Sequence, residues 1–222
     1  MHTHFRRSKL TMLLLAVLVL PACLPACSDD NGMRPEPPEV DPPAPWFLAE
    51  TPEQFATNFR RVWEERDIDQ YDNLLADNFV FYLSSADVDD GETGLWDRAR
   101  EIRAAESIFG MQSSPPQLTV ESIEFTRWEV NNPWTNEIQD PTFADADLVA
   151  IYTVELMATI AGSPERIKGN QRLYLKRQEI DVDGEWTTVF RLRAWEDLGI
   201  NVNRPAQRSD EAISWGLFKS LF

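Results

Sequence analysis

The sequence predicts an α+β fold in which helices lead and a sheet follows, on three observations. Thr51-Pro52-Glu53-Gln54 opens a helix: Thr51 is a capping residue, Pro52 suits the first helical position, and Gln54 can return a capping-box hydrogen bond. Leu148, Ala150, Tyr152, Val154, Leu156, Ala158 and Ile160 alternate at period two, as a half-buried strand does. Asp183-Gly184, between two strand-like runs, is a two-residue hairpin turn.

The helices come first. Phe55, Phe59, Val62 and Trp63 fall at i, i+4, i+7 and i+8, an apolar face opposite Arg60, Arg61, Glu64 and Glu65. A second short helix follows Asp67, with Ile68, Tyr71, Leu74 and Leu75 on one side. Asp77-Asn78 marks a turn before the aromatic, β-branched run Phe79-Val80-Phe81-Tyr82-Leu83. A third helix is expected from about Leu95 to Phe109, burying Leu95, Ala99, Ile102 and Phe109 and turning Arg98, Arg100, Glu101 and Arg103 outward, with Gly110 ending it.

The connector Ser113-Ser114-Pro115-Pro116 leads to a strand from Leu118 to Val130, whose alternation slips by one between Val120 and Ile123, the mark of a bulge. Asn131 to Asp147 reads as a variable polar excursion rather than a lid. After a turn at Gly162-Ser163-Pro164, a strand runs from Ile167 through Arg177. With Asp183-Gly184 as a type I′ turn, Val182 faces Glu185, and the same register pairs Leu175 with Leu192, Leu173 with Ala194 and Gln171 with Glu196. The opposite face then carries Arg172, Tyr174, Lys176, Arg191, Arg193 and Trp195 and reads as solvated. The apolar face ends in Gln171 and Glu196, which become pocket candidates.

Ahead of the domain, residues 1–26 read as a lipoprotein signal peptide. Arg6, Arg7 and Lys9 form a basic head, and the apolar run from Leu10 to Leu20 is shorter than the ~20 residues that span a bilayer. Leu20-Pro21-Ala22-Cys23 and Leu24-Pro25-Ala26-Cys27 each resemble a bacterial lipobox, in which the cysteine is diacylated. Cys27 is the preferred lipidation site, since Ser28-Asp29-Asp30 follows at once and no stray thiol is left in an oxidising compartment; Cys23 is the alternative. Residues 27–46 are an acidic, proline-rich tether that cannot bury a core, and 47–222 are the right size for a single domain.

The run from TPEQF through RDIDQYDNLLADNFVFY resembles the opening of the ketosteroid-isomerase-like, nuclear-transport-factor-two-like superfamily (SnoaL-like proteins among it), over roughly residues 50 to 200. The resemblance implies a cone: a curved, mostly antiparallel sheet wrapped around three N-terminal helices, a cystatin-like roll, in which many members hold a small apolar ligand. It also implies positions for the isomerase chemistry. The oxyanion-hole tyrosine falls at Val62 and the proton-shuttling base at Leu83, both apolar here, and the third position falls near Gln171, which can donate a hydrogen bond but cannot act as a base.

Composition excludes much else. The chain carries 21 basic and 37 acidic residues for a net charge of −16, and removal of the signal takes away only cations, so phosphate backbones would be repelled and no nucleic acid is expected. Both histidines, His2 and His4, lie in the signal, which removes histidine-based nucleophile activation, general bases and zinc sites; no metal and no cofactor are expected. Three readings remain. The first is a non-catalytic, lipid-anchored envelope protein on the outer membrane facing the periplasm, whose cone binds a small apolar ligand or a partner protein, with Trp63, Tyr71, Tyr82, Tyr152, Gln171 and Glu196 as wall candidates. The second is an acid–base isomerase, dehydratase or cyclase using Glu196 or Asp197 with a tyrosine such as Tyr152. The third is a structural module that dimerises through its sheet face. A closed, filled cone would count against the first two.

Overall fold

The computed structural model describes residues 48–88, 93–111, 119–199 and 212–222, so the signal with Cys23 and Cys27, the tether and the Ser113-Pro116 connector lie outside the described residues. The first helix, α1 (Pro52–Glu65), begins with the expected capping box and buries Phe55, Phe59, Val62 and Trp63. It stops at Arg66, in the left-handed region at φ 56, because Asp67 immediately caps the next helix, α2 (Ile68–Leu74), accepting from the Gln70 N–H. Leu75, expected on that helix, instead opens the strand β1 (Leu75–Tyr82).

The third helix departs from expectation at its start. Leu95–Asp97 forms a short strand, β2, antiparallel to β1, and Asp97 then caps α3 (Arg98–Ile108), accepting from the Arg100 N–H at 2.8 Å. Its buried face is Glu101, Ala104, Ala105 and Ile108, with Ile102 half-buried against the core and Phe109 buried as expected, whereas Leu95 and Ala99 are exposed. Leu95 is 40% exposed whereas Glu101 is 0% exposed. The small side chains of Ala104 and Ala105 let the helix lie close against its neighbours, and Glu101 finds a cation waiting inside.

Four long strands complete the molecule: β3 (Val120–Thr135), β4 (Leu148–Ile160), β5 (Ser163–Val182) and β6 (Glu185–Asp197). The sheet order is β2-β1-β6-β5-β4-β3, antiparallel throughout except for the parallel β1–β6 pair, and the sheet is curved and unclosed. The expected slip in β3 is real, since the register to β4 shifts between Val120 and Ser122. Asp183 and Gly184 both take positive φ, 55 and 90, as a type I′ turn requires.

Near that turn the register is as expected, with Val182 opposite Glu185 and Leu175 opposite Leu192. Beyond Leu175 it shifts by one: Tyr174 pairs with Ala194, Leu173 with Trp195, Arg172 with Glu196 and Gln171 with Asp197, which leaves Arg193 as the extra residue of a bulge. A slip of one residue exchanges the two faces. Trp195 therefore points into the core and is 1% exposed, and Glu196 points out. Without the bulge a tryptophan would lie in water and an unpaired carboxylate in the core.

The outer face is not simply solvated either. Phe143, Tyr174 and Ala194 form a second apolar cluster with Val80 and Tyr82 beside it. The segment between β3 and β4 covers it through a 3-10 turn, Pro141–Phe143, so this stretch is neither a free excursion nor a lid over the inner face. Asp145 clasps it down, accepting from Arg193 Nε at 2.9 and 3.0 Å, Asn78 Nδ2 at 2.9 Å and Lys176 Nζ at 3.2 Å. Burial pushes the Asp145 carboxyl up, but hydrogen bonds from Arg193, Asn78 and Lys176 more than offset it and hold it at about 2, below the ordinary 3.8. A lowered carboxylate pKa stabilises above the unfolded value and loses that contribution as pH falls through the folded one. Stability should therefore drop between about pH 4 and pH 2, and Asp145→Asn should flatten that limb in urea denaturation at stepped pH. Superimposable limbs would mean that solvent screening at this 39%-exposed side chain cancels the clasp.

Candidate functional site

The space inside the sheet is occupied by the chain itself. A last helix, α4 (Trp215–Ser220), is capped by Ser214, whose hydroxyl accepts from the Leu217 N–H and donates to Asp87 at 2.6 Å. It carries Trp215, Phe218 and Lys219 inward, at 1, 0 and 0% exposure. The Trp63 ring centre lies 5.0 Å from that of Trp215, 5.3 Å from Tyr71 and 5.1 Å from Phe109, mostly edge to face, the preferred arrangement for aromatic quadrupoles.

A charged group sits at the centre of these rings. Lys219 Nζ donates to Glu101 Oε1 at 2.5 Å, and the Tyr71 hydroxyl donates to the same oxygen at 2.5 Å. The ammonium also lies 3.8 Å from the Phe81 ring centre and 3.7 Å from that of Trp195, so aromatic faces share its charge. Burial pulls Lys219 down to about 8, although Glu101 favours its charged form. Tyr71 is raised well above its ordinary value, first by burial and then by the Glu101 charge. Glu101 Oε2 is buried and takes no hydrogen bond. An amine of this kind could in principle act as a base or nucleophile, but here it is fully enclosed and committed to a carboxylate.

A second polar cluster ties α4 to the sheet. Asp197 Oδ1 accepts from the Gly199 N–H at 2.9 Å and from Gln171 Nε2 at 3.1 Å, and Oδ2 accepts from the Gly216 N–H at 2.6 Å. Gln171 Oε1 in turn accepts from Trp195 Nε1 at 2.5 Å. Burial raises the Asp197 pKa, and the two backbone donors and Gln171 oppose it. Gly216 permits the close approach: a Cβ there would lie 2.7 Å from Leu83 Cδ2 and 3.2 Å from Asp197 Oδ2, so those side chains would have to shift.

The structure thus sorts the expected site residues. Trp63, Tyr71, Tyr152 and Gln171 face inward, but as packed core. Tyr152 lies tilted 30° against Trp128 at 4.9 Å and is raised to about 12 by burial. Tyr82 lies on the outer face against Phe143, at 5.3 Å. Glu196 is outside too, paired with Arg172 at 2.8 Å and accepting from the Tyr174 hydroxyl at 3.0 Å, so it is no pocket group. Asp197 takes the inner place that the unbulged register assigned to Glu196. Glu196, Asp197 and Tyr152 are therefore not assembled into one acid–base centre. Sequence reasoning missed Glu101 and Lys219, yet Glu101, Ala104, Ala105 and Ile108 form an i, i+3, i+4, i+7 series that marks the inward face of α3.

No protein-family model matches the chain, and no curated protein matches it. Among solved structures it is similar to an NTF2-like protein of unknown function in nutrient uptake from Rhodospirillum rubrum, at 12% identity over 64% of this chain and 92% of the other, with a TM-score of 0.36. It is also similar to the β subunit of benzoate 1,2-dioxygenase from Burkholderia mallei, at 14% identity over 65% and 85%, with a TM-score of 0.43. ActVI-ORFA from Streptomyces coelicolor follows at 13% identity over 65% and 90%, with a TM-score of 0.36. The fold assignment itself stands on the strand order, the single parallel pair and the helices packed against the sheet.

Proposed function

We propose that this chain, which has the nuclear-transport-factor-two-like fold, is a lipid-anchored cell-envelope protein whose domain is a non-catalytic binding module working through its surface rather than through the interior of its cone. One observation carries the reading: α4 fills the interior with Trp215, Phe218 and a lysine committed to Glu101. That filling takes the room an apolar ligand or substrate would need, and the pocket carboxylates of the sequence reading are either turned outward or saturated. The anchor rests on the Cys27 lipobox, with Cys23 as its rival, and on the acidic tether that follows; the outer membrane facing the periplasm is the corresponding location.

Two measurements test this. Cys27→Ser is expected to abolish acylation and leave an uncleaved precursor, whereas Cys23→Ser is not; mass spectrometry of the mature N-terminus reads the result. A lipid on Cys23 would move the anchor, and a lipid on neither cysteine would remove it. Native mass spectrometry of the mature protein should show the lipidated chain, alone or as a dimer, with no small molecule retained in the core. An apolar molecule that stays bound and is lost on Trp63→Ala would overturn the surface reading.

A further inference from the structure

A cleft of about 280 Å³ lies between α3 and α4, lined by Trp96, Arg100, Arg103, Ala104, Lys219 and Phe222. Arg100 and Arg103 stand three residues apart on α3, so their side chains rise from one face of the helix. Seven other arginines, Arg60, Arg61, Arg98, Arg127, Arg166, Arg172 and Arg193, make ion pairs with carboxylates. Neither Arg100 nor Arg103 has a carboxylate partner among the described residues. Among the described residues these two guanidiniums converge on one cleft with no carboxylate to neutralise them, in a chain with 37 acidic and 21 basic residues. Arg100 is also held in place, its guanidinium carbon 4.4 Å from the centre of the Trp96 ring, so it has less freedom to lose on binding.

We infer that this cleft is a binding site for a small amphiphilic anion, a carboxylate or phosphate monoester carrying a compact apolar body. The planar forks of Arg100 and Arg103 match the paired oxygens of such a head group, while Trp96, Ala104 and Phe222 offer apolar surface beside them. Lys219 contributes to the lining while its ammonium stays with Glu101, so the charge available to a ligand is that of the two arginines. The site lies outside the sheet's filled interior, and it stands whether or not the anchor assignment does.

The test uses the full chain in zwitterionic detergent, titrated calorimetrically with octyl phosphate, octanoate and inorganic phosphate. Octyl phosphate or octanoate should bind, with affinity falling as salt rises, and inorganic phosphate should bind at least tenfold more weakly. Arg100→Gln/Arg103→Gln should weaken the alkyl anion at least tenfold with an unchanged thermal melt, whereas Arg60→Gln/Arg61→Gln, on the exposed face of α1 and not in the cleft lining, should not. Nanodiscs with phosphatidylglycerol that displace octyl phosphate, where phosphatidylcholine discs do not, would identify a lipid head group as the source of the anion; failure of both to displace it would point to a free metabolite. Equal binding by the double variant, equal binding of inorganic phosphate, or no binding of either alkyl anion would overturn the inference.

Discussion

Glu101→Ala is expected to destabilise the protein by about 3–5 kcal/mol, the cost of leaving a buried ion without its partner. Lys219 is 0% exposed and its only ion-pair partner among the described residues is Glu101, so truncation strands an ammonium among Phe81, Trp63 and Trp195. The aromatic faces soften this without replacing a counter-ion. Lys219→Met should cost a comparable amount, since it leaves the buried Glu101 carboxylate with only the Tyr71 hydroxyl, and Glu101→Leu combined with Lys219→Met should recover most of either loss, because the pair's attraction only roughly offsets its desolvation. The pH dependence has a definite sign. A lysine held at about 8 in the fold against 10.5 in the open chain is deprotonated earlier when folded. The unfolded chain then binds more protons between these values, and stability should rise with pH across that window. Chemical denaturation of the four proteins between pH 7 and 10 checks both points. A Glu101→Ala loss within about 1 kcal/mol of wild type would show that the amine escapes to water.

Trp63→Ala should cost about 3–5 kcal/mol, a large share of the ~5–15 kcal/mol that holds a domain together. The ring is 0% exposed and touches Tyr71, Phe109, Trp195 and Trp215, which come from α2, the end of α3, β6 and α4, so no single neighbour can collapse into the hole. Arg60→Ala, on the wet face of the same helix, should cost no more than about 0.5 kcal/mol, since it loses one exposed i, i+4 pair with Glu64. Equal effects in parallel urea titrations would contradict the observed facing of α1.

The local features of the chain were legible because each depends on neighbours in sequence. The Thr51 capping box, the α1 stripe ending in Trp63, the slip after Val120 and the Asp183-Gly184 turn all arise within one or two turns or strand repeats. The candidate site was less legible, because it depended on extending a register across many residues. Alternation carried from the hairpin as far as Leu175–Leu192 and then failed at Arg193. That residue bulges while held by Asp145 and the Asn78 carbonyl, partners 48 and 115 residues away. Glu196 and Trp195 changed places as a result.

By itself the sequence determined the α+β order, the helix starts, the hairpin and the lack of histidine in the domain, since these follow from residue type and short-range periodicity. Only the tertiary structure decided what lies inside the sheet. A carboxylate on α3 reads as a wet-face residue until a lysine 118 positions later is brought to 2.5 Å from it. Burying either charge alone is prohibitive, so the series that places Glu101 on the inward face of α3 does not announce its partner Lys219, and the core that receives α4 exists only once the sheet has curved around it.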